Sequence, residues 1–488
     1  MAFGLHRCLA GAPRCGGRAR RGATALKHAS VPARPAPDAP PRPDQHGPAS
    51  HARLIRRWIW RDFLNMGLGV WLIASPATLG YTSRAMAWSD LIAGAAIVAL
   101  SALVLRPRFD LARWGLCAAG LWLLFAPLVL WTPDPGAYAN GTLVGALVIT
   151  FSVLVPMMPG RTHHAVMTGP GPDTPPGWSY NPSDFLQRGP IVAMALVGFF
   201  LSRYLAAYQL GHIAAPWDPV FGGGTRRVLD SEVSRAFPIS DAGLGAAAYL
   251  IEALSGCMGG VNRWRTMPWM VGMFGVLVVP LGIVSIVLVV LQPIAVGAWC
   301  ALCLATAAAM LVMIAPALDE VVATGQFLAG ARREGQPFWR TFWVGGTLDR
   351  YGAGGQRPHD ADVPARRAVL AALDLNHVPW NMVAAAAVGV WIMAAPAALG
   401  AGGPAAGSNY LTGALVVTFS VIAWGEIARP SRLLNLPLGL WLVAASAVFA
   451  APANLRWSNA AAGLAVAALS LRRGRVETRF GAWNRVLI

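Results

Sequence analysis

Apolar runs of nearly membrane-spanning length recur along this chain of 488 residues, separated by short polar segments. A spanning helix needs about 20 mostly apolar residues, and twelve runs approach that length. They form three groups of four, at 63–79, 88–105, 111–130 and 141–158, at 191–210, 242–254, 269–291 and 295–315, and at 380–399, 410–427, 436–451 and 458–471. The pattern predicts an all-α polytopic membrane protein with about twelve transmembrane helices.

Composition supports the same class. Hydrophobic residues make up 56% of the chain and charged residues 12%, with a mean hydropathy of +0.50. The net charge of +17 does not predict nucleic-acid binding, because the arginines cluster between alternate apolar runs and in the N-terminal segment. Cytoplasmic loops of membrane proteins carry such arginines, so we expect both termini in the cytoplasm, with membrane lipid as the surrounding partner.

The polar stretches divide the chain into units. An Arg- and Pro-rich N-terminal tail has no apolar core of the kind a cleavable signal needs and is predicted to be disordered in the cytoplasm. Two Pro-, Gly- and Arg-rich stretches read as cytoplasmic linkers. The predicted units are 1–57 for the tail, 58–158 for the first four-helix unit, 159–187 for a linker, 188–328 for a central four-helix unit, 329–378 for a second linker, 379–473 for the last four-helix unit and 474–488 for a C-terminal tail.

The outer two units share an internal repeat. Residues 142–154 and 411–422 have nearly the same sequence. A tryptophan also precedes a Pro or small residue by five positions in four helices, at Trp71, Trp122, Trp391 and Trp441. This pattern, with Ser75-Pro76 as its best local match, resembles the SPW repeat of bacterial membrane proteins. Small-residue faces of this kind predict close helix packing.

Chemistry is concentrated at Cys300 and Cys303, which form a Cys-x-x-Cys motif beside Trp299 near the start of the eighth run. Residues at i and i+3 share one face of a helix, so the two sulfurs can pair. The N-terminal helix dipole favours a thiolate at Cys300. Because the arginine pattern predicts that the eighth helix runs inward from the outer surface, we expect Cys300 to face solvent and Cys303 to lie deeper in the membrane. An incidental pair of cysteines remains an alternative. A zinc site needs four ligands, and only His212 is near, so no metal is predicted.

The central unit as a whole resembles the vitamin K epoxide reductase family. The matching features are Cys-x-x-Cys at the outer end of the fourth helix, together with Ser202-x-Tyr204, Ser231-Glu-Val-Ser234, and the stretch from Pro238 through Gly243 to Tyr249. The resemblance implies a membrane thiol:quinone oxidoreductase of the bacterial inner membrane. Cys300 then exchanges with a periplasmic thioredoxin-like dithiol protein, and Cys303 reduces ubiquinone or menaquinone, which supports disulfide formation.

One feature departs from that family. Its members usually carry a second cysteine pair in the long loop between the first two helices, and the loop at 211–241 contains none. Asp230, Ser231 and Ser234 stand where a relay cysteine is expected. Either a separate protein delivers electrons directly to Cys300, or the chain is a catalytically degenerate scaffold or transport-like protein.

Three further residues are candidates for a quinone pocket. Tyr249 and Trp299 carry aromatic rings near the predicted dithiol end of the bundle, and Arg203 places a charge inside the fifth run. An intramembrane charge is a functional candidate by default. Aromatic residues are also ordinary at membrane interfaces, and Arg203 can equally snorkel to the surface.

Overall fold

The computed structural model describes residues 48–106, 109, 111–153, 171–348 and 379–487. The chain divides into two units, Met1–Arg57 and Trp58–Ile488. Within the first unit only the helical residues 48–57 are described, so the first helix begins inside the predicted tail. The rest of that tail, residues 159–170 of the first predicted linker and residues 349–378 of the second lie outside the described residues.

Helices build the described part of the protein, which contains 16 α-helices. Twelve of them are long, and we number these in chain order. They are α1 (Pro48–Thr78), α2 (Arg84–Val104), α3 (Ala112–Val129), α4 (Pro135–Val153), α5 (Phe185–Gln209), α6 (Asp241–Cys257), α7 (Pro268–Leu291), α8 (Ala301–Arg333), α9 (Trp380–Ala398), α10 (Gly403–Ile422), α11 (Asn435–Val448) and α12 (Ala453–Leu471).

Each predicted apolar run corresponds to one of these helices, and the predicted all-α membrane fold is confirmed. Nine helical segments within the described ranges are long and apolar enough to cross a membrane. The other three are α1, α6 and α12. Helix α1 carries the charged pair Arg61 and Asp62, α6 has only 17 residues, and α12 includes Arg456. Among them, α6 packs on the longer α5, and α12 packs on α9 and α11.

The repeated sequence produces a repeated helix crossing. In each hairpin of the two outer units, one glycine from each helix lies at the crossing point. A Cβ atom added to any of them would come within 3.1 Å of the carbonyl oxygen of its partner glycine. The pairs are Gly69 with Gly94, Gly120 with Gly145, Gly389 with Gly413, and Gly439 with Gly463. Glycine is therefore needed here for close backbone approach, as small-residue membrane interfaces require.

Tryptophans of the repeat join the two hairpins within each outer unit. In the N-terminal unit, Trp71 Nε1 donates to Asn140 Oδ1 (2.7 Å) and Trp122 Nε1 donates to Ser89 Oγ (3.0 Å). In the C-terminal unit, equivalent bonds run from Trp391 to Ser458 (3.0 Å) and from Trp441 to Ser408 (3.1 Å). Each tryptophan thus reaches the second helix of the other hairpin, so the two hairpins of a unit are related by approximate two-fold symmetry.

A substitution at one crossing glycine tests this packing. A Cβ atom at Gly413 would lie 2.7 Å from the Gly389 carbonyl oxygen, whereas one at Gly407 of the same helix meets only Ile294 Cδ1, at 3.9 Å. We expect Gly413→Ala to lower the free energy of unfolding by roughly 1–3 kcal/mol. Gly407→Ala should leave it unchanged or raise it by up to about 1 kcal/mol. Thermal melts of both detergent-solubilised variants measure the difference, and equal midpoints would contradict the close crossing.

The central unit is formed by α5 to α8. Buried Ile191, Tyr249, Phe274, Met310 and Met313 belong to its core. At the end far from the dithiol, Arg263 Nε donates to Glu320 Oε1 at 2.5 Å, and both side chains are almost fully buried. Ser183 also donates to Glu320. Pairing and hydrogen bonding offset the cost of burying these charges, and they tie α8 to the segment between α6 and α7.

Candidate dithiol site

The segment before α8 sets the position of the two cysteines. Helix α7 passes into a π-helical turn at Gln292–Val296, which ends at Gly297 with φ of +66°. Glycine adopts this left-handed conformation readily, and the chain then leaves the helical path. As a result α8 begins at Ala301, and the prediction of a helix from residue 295 is wrong by six residues. Cys300 becomes the N-cap of α8, with Cys303 in the first turn.

Cys300 and Cys303 form a disulfide with a Cα–Cα distance of 5.2 Å. The Cys303 N–H points at Cys300 Sγ (3.1 Å), and the Cys300 N–H donates to the side-chain oxygen of Gln292 (2.9 Å). The positive end of the α8 dipole lies at these sulfurs and favours a thiolate when the bond is broken. Cys117 and Cys257 are free, and Cys8 and Cys15 lie outside the described residues.

Burial differs between the two sulfurs in the opposite sense to the prediction. Cys300 has no exposed surface and packs with Leu205, Leu229 and Leu302. Cys303 is half-buried. The expectation that Cys300 faces solvent is therefore wrong for this conformation, because a short helix at Gly224–Leu229 in the α5–α6 loop covers it.

Asp218 holds this covering helix in place. Its carboxylate accepts N–H bonds from Phe221 (2.9 Å), Thr225 (3.0 Å) and Val220 (3.3 Å). These backbone bonds, that of Phe221 first, lower the pKa of the Asp218 carboxyl, because hydrogen bonding stabilises the charged form. The backbone at Gly224 lies directly against the Trp299 carbonyl oxygen, where no side chain fits. The loop therefore packs directly against Trp299, the residue next to Cys300.

The Asp218 anchor predicts a pH effect on the loop. Since the pKa of Asp218 is lowered in the folded state, its stabilisation is present above the unfolded value of about 3.9 and is lost as the pH falls through the folded value. At neutral pH we expect the Phe221 and Thr225 amides to exchange with deuterium about five-fold faster in Asp218→Ala than in wild type. The difference should shrink as the pH is lowered from neutral into the acidic range below that unfolded value. A constant ratio across that range would contradict the anchor.

A cavity of about 130 Å³ lies beside Cys303, and we call it the dithiol cavity. It is enclosed by α5, the α5–α6 loop, α6, α7 and α8. Its polar lining residues are Ser202, Ser231, Ser234, Asp241, Tyr249, Ser285, Gln292 and Thr306. Tyr249, a candidate for the quinone pocket, lines the same cavity as Cys303, and its hydroxyl donates to the Thr306 carbonyl oxygen (2.7 Å).

Hydrogen bonds fix the polar wall of this cavity. Asp241 Oδ1 accepts from Gln209 Nε2 (2.5 Å) and Ser234 Oγ (3.0 Å), and Ser240 Oγ donates to Gln209 Oε1 (2.5 Å). Sequence reasoning missed Gln209, Asp241 and Gln292. Gln292 could have been noticed as a single polar residue at the end of an otherwise apolar run. Asp241 and Gln209 depend on contacts between α5 and α6 that no local pattern reports.

Trp299 and Arg203 lie away from the dithiol cavity. Trp299 lines a separate, larger space of about 350 Å³ between α7, α8, α9 and α10, the interunit cavity, and its ring packs edge-on against Tyr410 at 5.8 Å. The Arg203 guanidinium lies 4.0 Å from the ring centroid of Tyr138, and its Nη1 donates to Thr142 Oγ1 (2.6 Å). Arg203 thus joins the central unit to α4 of the N-terminal unit.

The fold and this site define a multi-pass membrane protein that has a disulfide at the N-terminus of α8, covered by the short helix Gly224–Leu229. The model of the vitamin K epoxide reductase family matches residues 190–318, and that of the SPW repeat domain matches residues 59–155 and 379–473. The chain therefore contains a vitamin K epoxide reductase family domain flanked by two SPW repeat domains. No curated protein and no solved structure matches it.

Proposed function

We propose that this protein is a thiol:quinone oxidoreductase of the bacterial inner membrane. The observation that carries the proposal is the Cys300–Cys303 disulfide at the N-terminus of α8, with Cys303 lining a cavity in a domain of this family. Family membership suggests thiol and quinone chemistry. The arginine-rich segments favour a topology with both termini in the cytoplasm and the dithiol at the periplasmic face, where disulfides persist.

In the first half-reaction a thiolate of the partner attacks Cys300 Sγ. The Cys300–Cys303 bond breaks, and Cys303 leaves as a thiolate that the α8 dipole stabilises. The second thiol of the partner then attacks the mixed disulfide, which forms the partner's disulfide and releases Cys300. The partner is oxidised by two electrons, and the Cys300–Cys303 pair is reduced by two.

In the second half-reaction Cys303 attacks the ring of ubiquinone or menaquinone in the dithiol cavity. Cys300 then attacks Cys303 Sγ and restores the disulfide, and the electron pair leaves with the quinone. The two thiols release two protons on oxidation, and the reduced quinone takes up two protons to become the hydroquinone. The sum is one partner dithiol oxidised and one quinone reduced.

The α5–α6 loop has two consequences for this cycle. It contains no cysteine, so electrons enter directly at the Cys300–Cys303 pair from a separate periplasmic thioredoxin-like dithiol protein. Ser231 and Ser234 line the dithiol cavity instead. Because the helix Gly224–Leu229 buries Cys300, the loop must move aside before the partner can reach that sulfur.

Turnover of the wild-type protein tests the proposal. Full-length protein in lipid nanodiscs is given dithiothreitol and decylubiquinone, and we expect quinone reduction well above the rate without protein. Alkylation of untreated membranes should leave Cys300 and Cys303 unmodified until a reductant is added. Free thiols at both positions in oxidised membranes, with no turnover, would favour a degenerate scaffold or transport-like protein.

A further inference from the structure

The interunit cavity joins the dithiol domain to the C-terminal repeat. Helices α7 and α8 line one side, and Val390, Met393, Ala394 and Val417 of α9 and α10 are on the other. Apart from Ser285, Thr418 and the indole of Trp299, the lining side chains are hydrocarbon or thioether. The Thr418 hydroxyl is already bonded to the Ala414 carbonyl oxygen at 2.8 Å. This space therefore suits an apolar ligand.

The two cavities meet at one wall. Ser285 and Val289 of α7 and Ala307 of α8 line both of them. Two of these three residues, Ser285 and Ala307, have small side chains, so the wall between the dithiol cavity and the interunit cavity is thin. A molecule that occupies both cavities must therefore pass between α7 and α8 at these residues.

The volumes of the two cavities fit the two parts of such a molecule, a ring and a chain. Sites for whole small molecules usually measure about 300–1,000 Å³. The dithiol cavity, at about 130 Å³, has room for a ring but not for a ring with a long chain. The interunit cavity, at about 350 Å³, is within the usual range. Its rim residues Ala308, Val390 and Ala394 are exposed on the apolar helix surface, which gives a chain a way in from the lipid.

We propose that the C-terminal repeat unit completes the quinone site. The prenyl side chain of the quinone lies in the interunit cavity against α9 and α10, while the ring lies beside Cys303. This inference rests on the proposed function and extends it, since it gives the repeat a role in choosing quinones by their side chains. Burial of several apolar groups of the prenyl chain supplies the binding energy.

Filling the cavity from the repeat side tests the inference. Ala394→Trp places a large ring in the interunit cavity, and Ala74→Trp is the matched control, three residues after the repeat tryptophan in α1 as Ala394 is in α9. Substrates are decylubiquinone and the same ring without its alkyl chain, with dithiothreitol as donor. We expect Ala394→Trp to raise KM for decylubiquinone about ten-fold or more. The rate with the chainless ring, and both rates in Ala74→Trp, should stay within about two-fold.

A labelling measurement does not depend on turnover. Ubiquinone with a photoreactive diazirine on its alkyl chain is irradiated with the wild-type protein, and labelled peptides are identified by mass spectrometry. We expect label on α9 and α10 near Met393 and Val417, removed by excess decylubiquinone and retained in excess phosphatidylglycerol.

The outcomes separate the two proposals. Equal kinetic effects on both quinones, or label displaced by phospholipid instead of by decylubiquinone, would overturn the side-chain site while turnover still supports the oxidoreductase. Competed label without any turnover would leave the side-chain site standing and overturn the oxidoreductase. Absence of both label and turnover would overturn both.

Discussion

The Cys303→Ser variant is expected to lose quinone reduction by about three orders of magnitude or more, since a hydroxyl can neither leave as a thiolate nor attack the ring. Cys303 is the half-buried sulfur that lines the dithiol cavity. Steady-state reduction of decylubiquinone with dithiothreitol measures the loss. Cys117→Ser and Cys257→Ser are the controls, because both cysteines are free and neither lines the cavity.

Cys300→Ser should separate the roles of the two sulfurs. It also stops turnover, but it leaves Cys303 able to attack the quinone without a resolving thiol. We therefore expect a stable covalent quinone mass on Cys300→Ser and none on Cys303→Ser. A quinone mass on Cys303→Ser alone would reverse the assignment, and undiminished turnover in either variant would end the mechanism.

Gly224→Val is expected to uncover Cys300. The Gly224 backbone lies against the Trp299 carbonyl oxygen, so an added side chain must push the helix Gly224–Leu229 away from the dithiol. In reduced protein we expect Cys300 to react with a water-soluble maleimide at least about ten-fold faster than in wild type. Mass spectrometry of tryptic peptides, taken over a time course, measures the rate of Cys300 modification.

The neighbouring position supplies the control for this substitution. Thr225 is buried on the same short helix, and its hydroxyl has no hydrogen-bond partner among the described residues. Thr225→Val keeps the shape of the side chain and should leave the Cys300 rate unchanged. An equal increase of the Cys300 reaction rate in both variants would indicate that the whole loop has loosened. An unchanged rate in Gly224→Val would show that this helix does not limit access to Cys300.

Long-range periodicity made much of the fold predictable. Each apolar run became a helix because a membrane leaves the backbone few alternatives to internal hydrogen bonding. The recurring tryptophans also indicated the paired hairpins. The crossing glycines, such as Gly389 and Gly413, follow from the same repeat.

The site itself depends on contacts that no local pattern contains. The start of α8 was misplaced because Gly297 interrupts an apolar stretch that otherwise reads as continuous helix. Burial of Cys300 comes from the helix Gly224–Leu229, whose six residues are too few to show a period. Arg203 was a candidate for the quinone pocket, and its contact with Tyr138 in another unit could not be read from either segment alone.

A single turnover of reduced protein tests the central claim most directly. Full-length protein is reduced, freed of reductant and mixed with decylubiquinone without oxygen, and hydroquinone and the Cys300–Cys303 disulfide are measured together. The account predicts one hydroquinone for each disulfide formed, with both appearing at the same rate. Hydroquinone without the disulfide, or a pair that stays reduced in excess quinone, would contradict it.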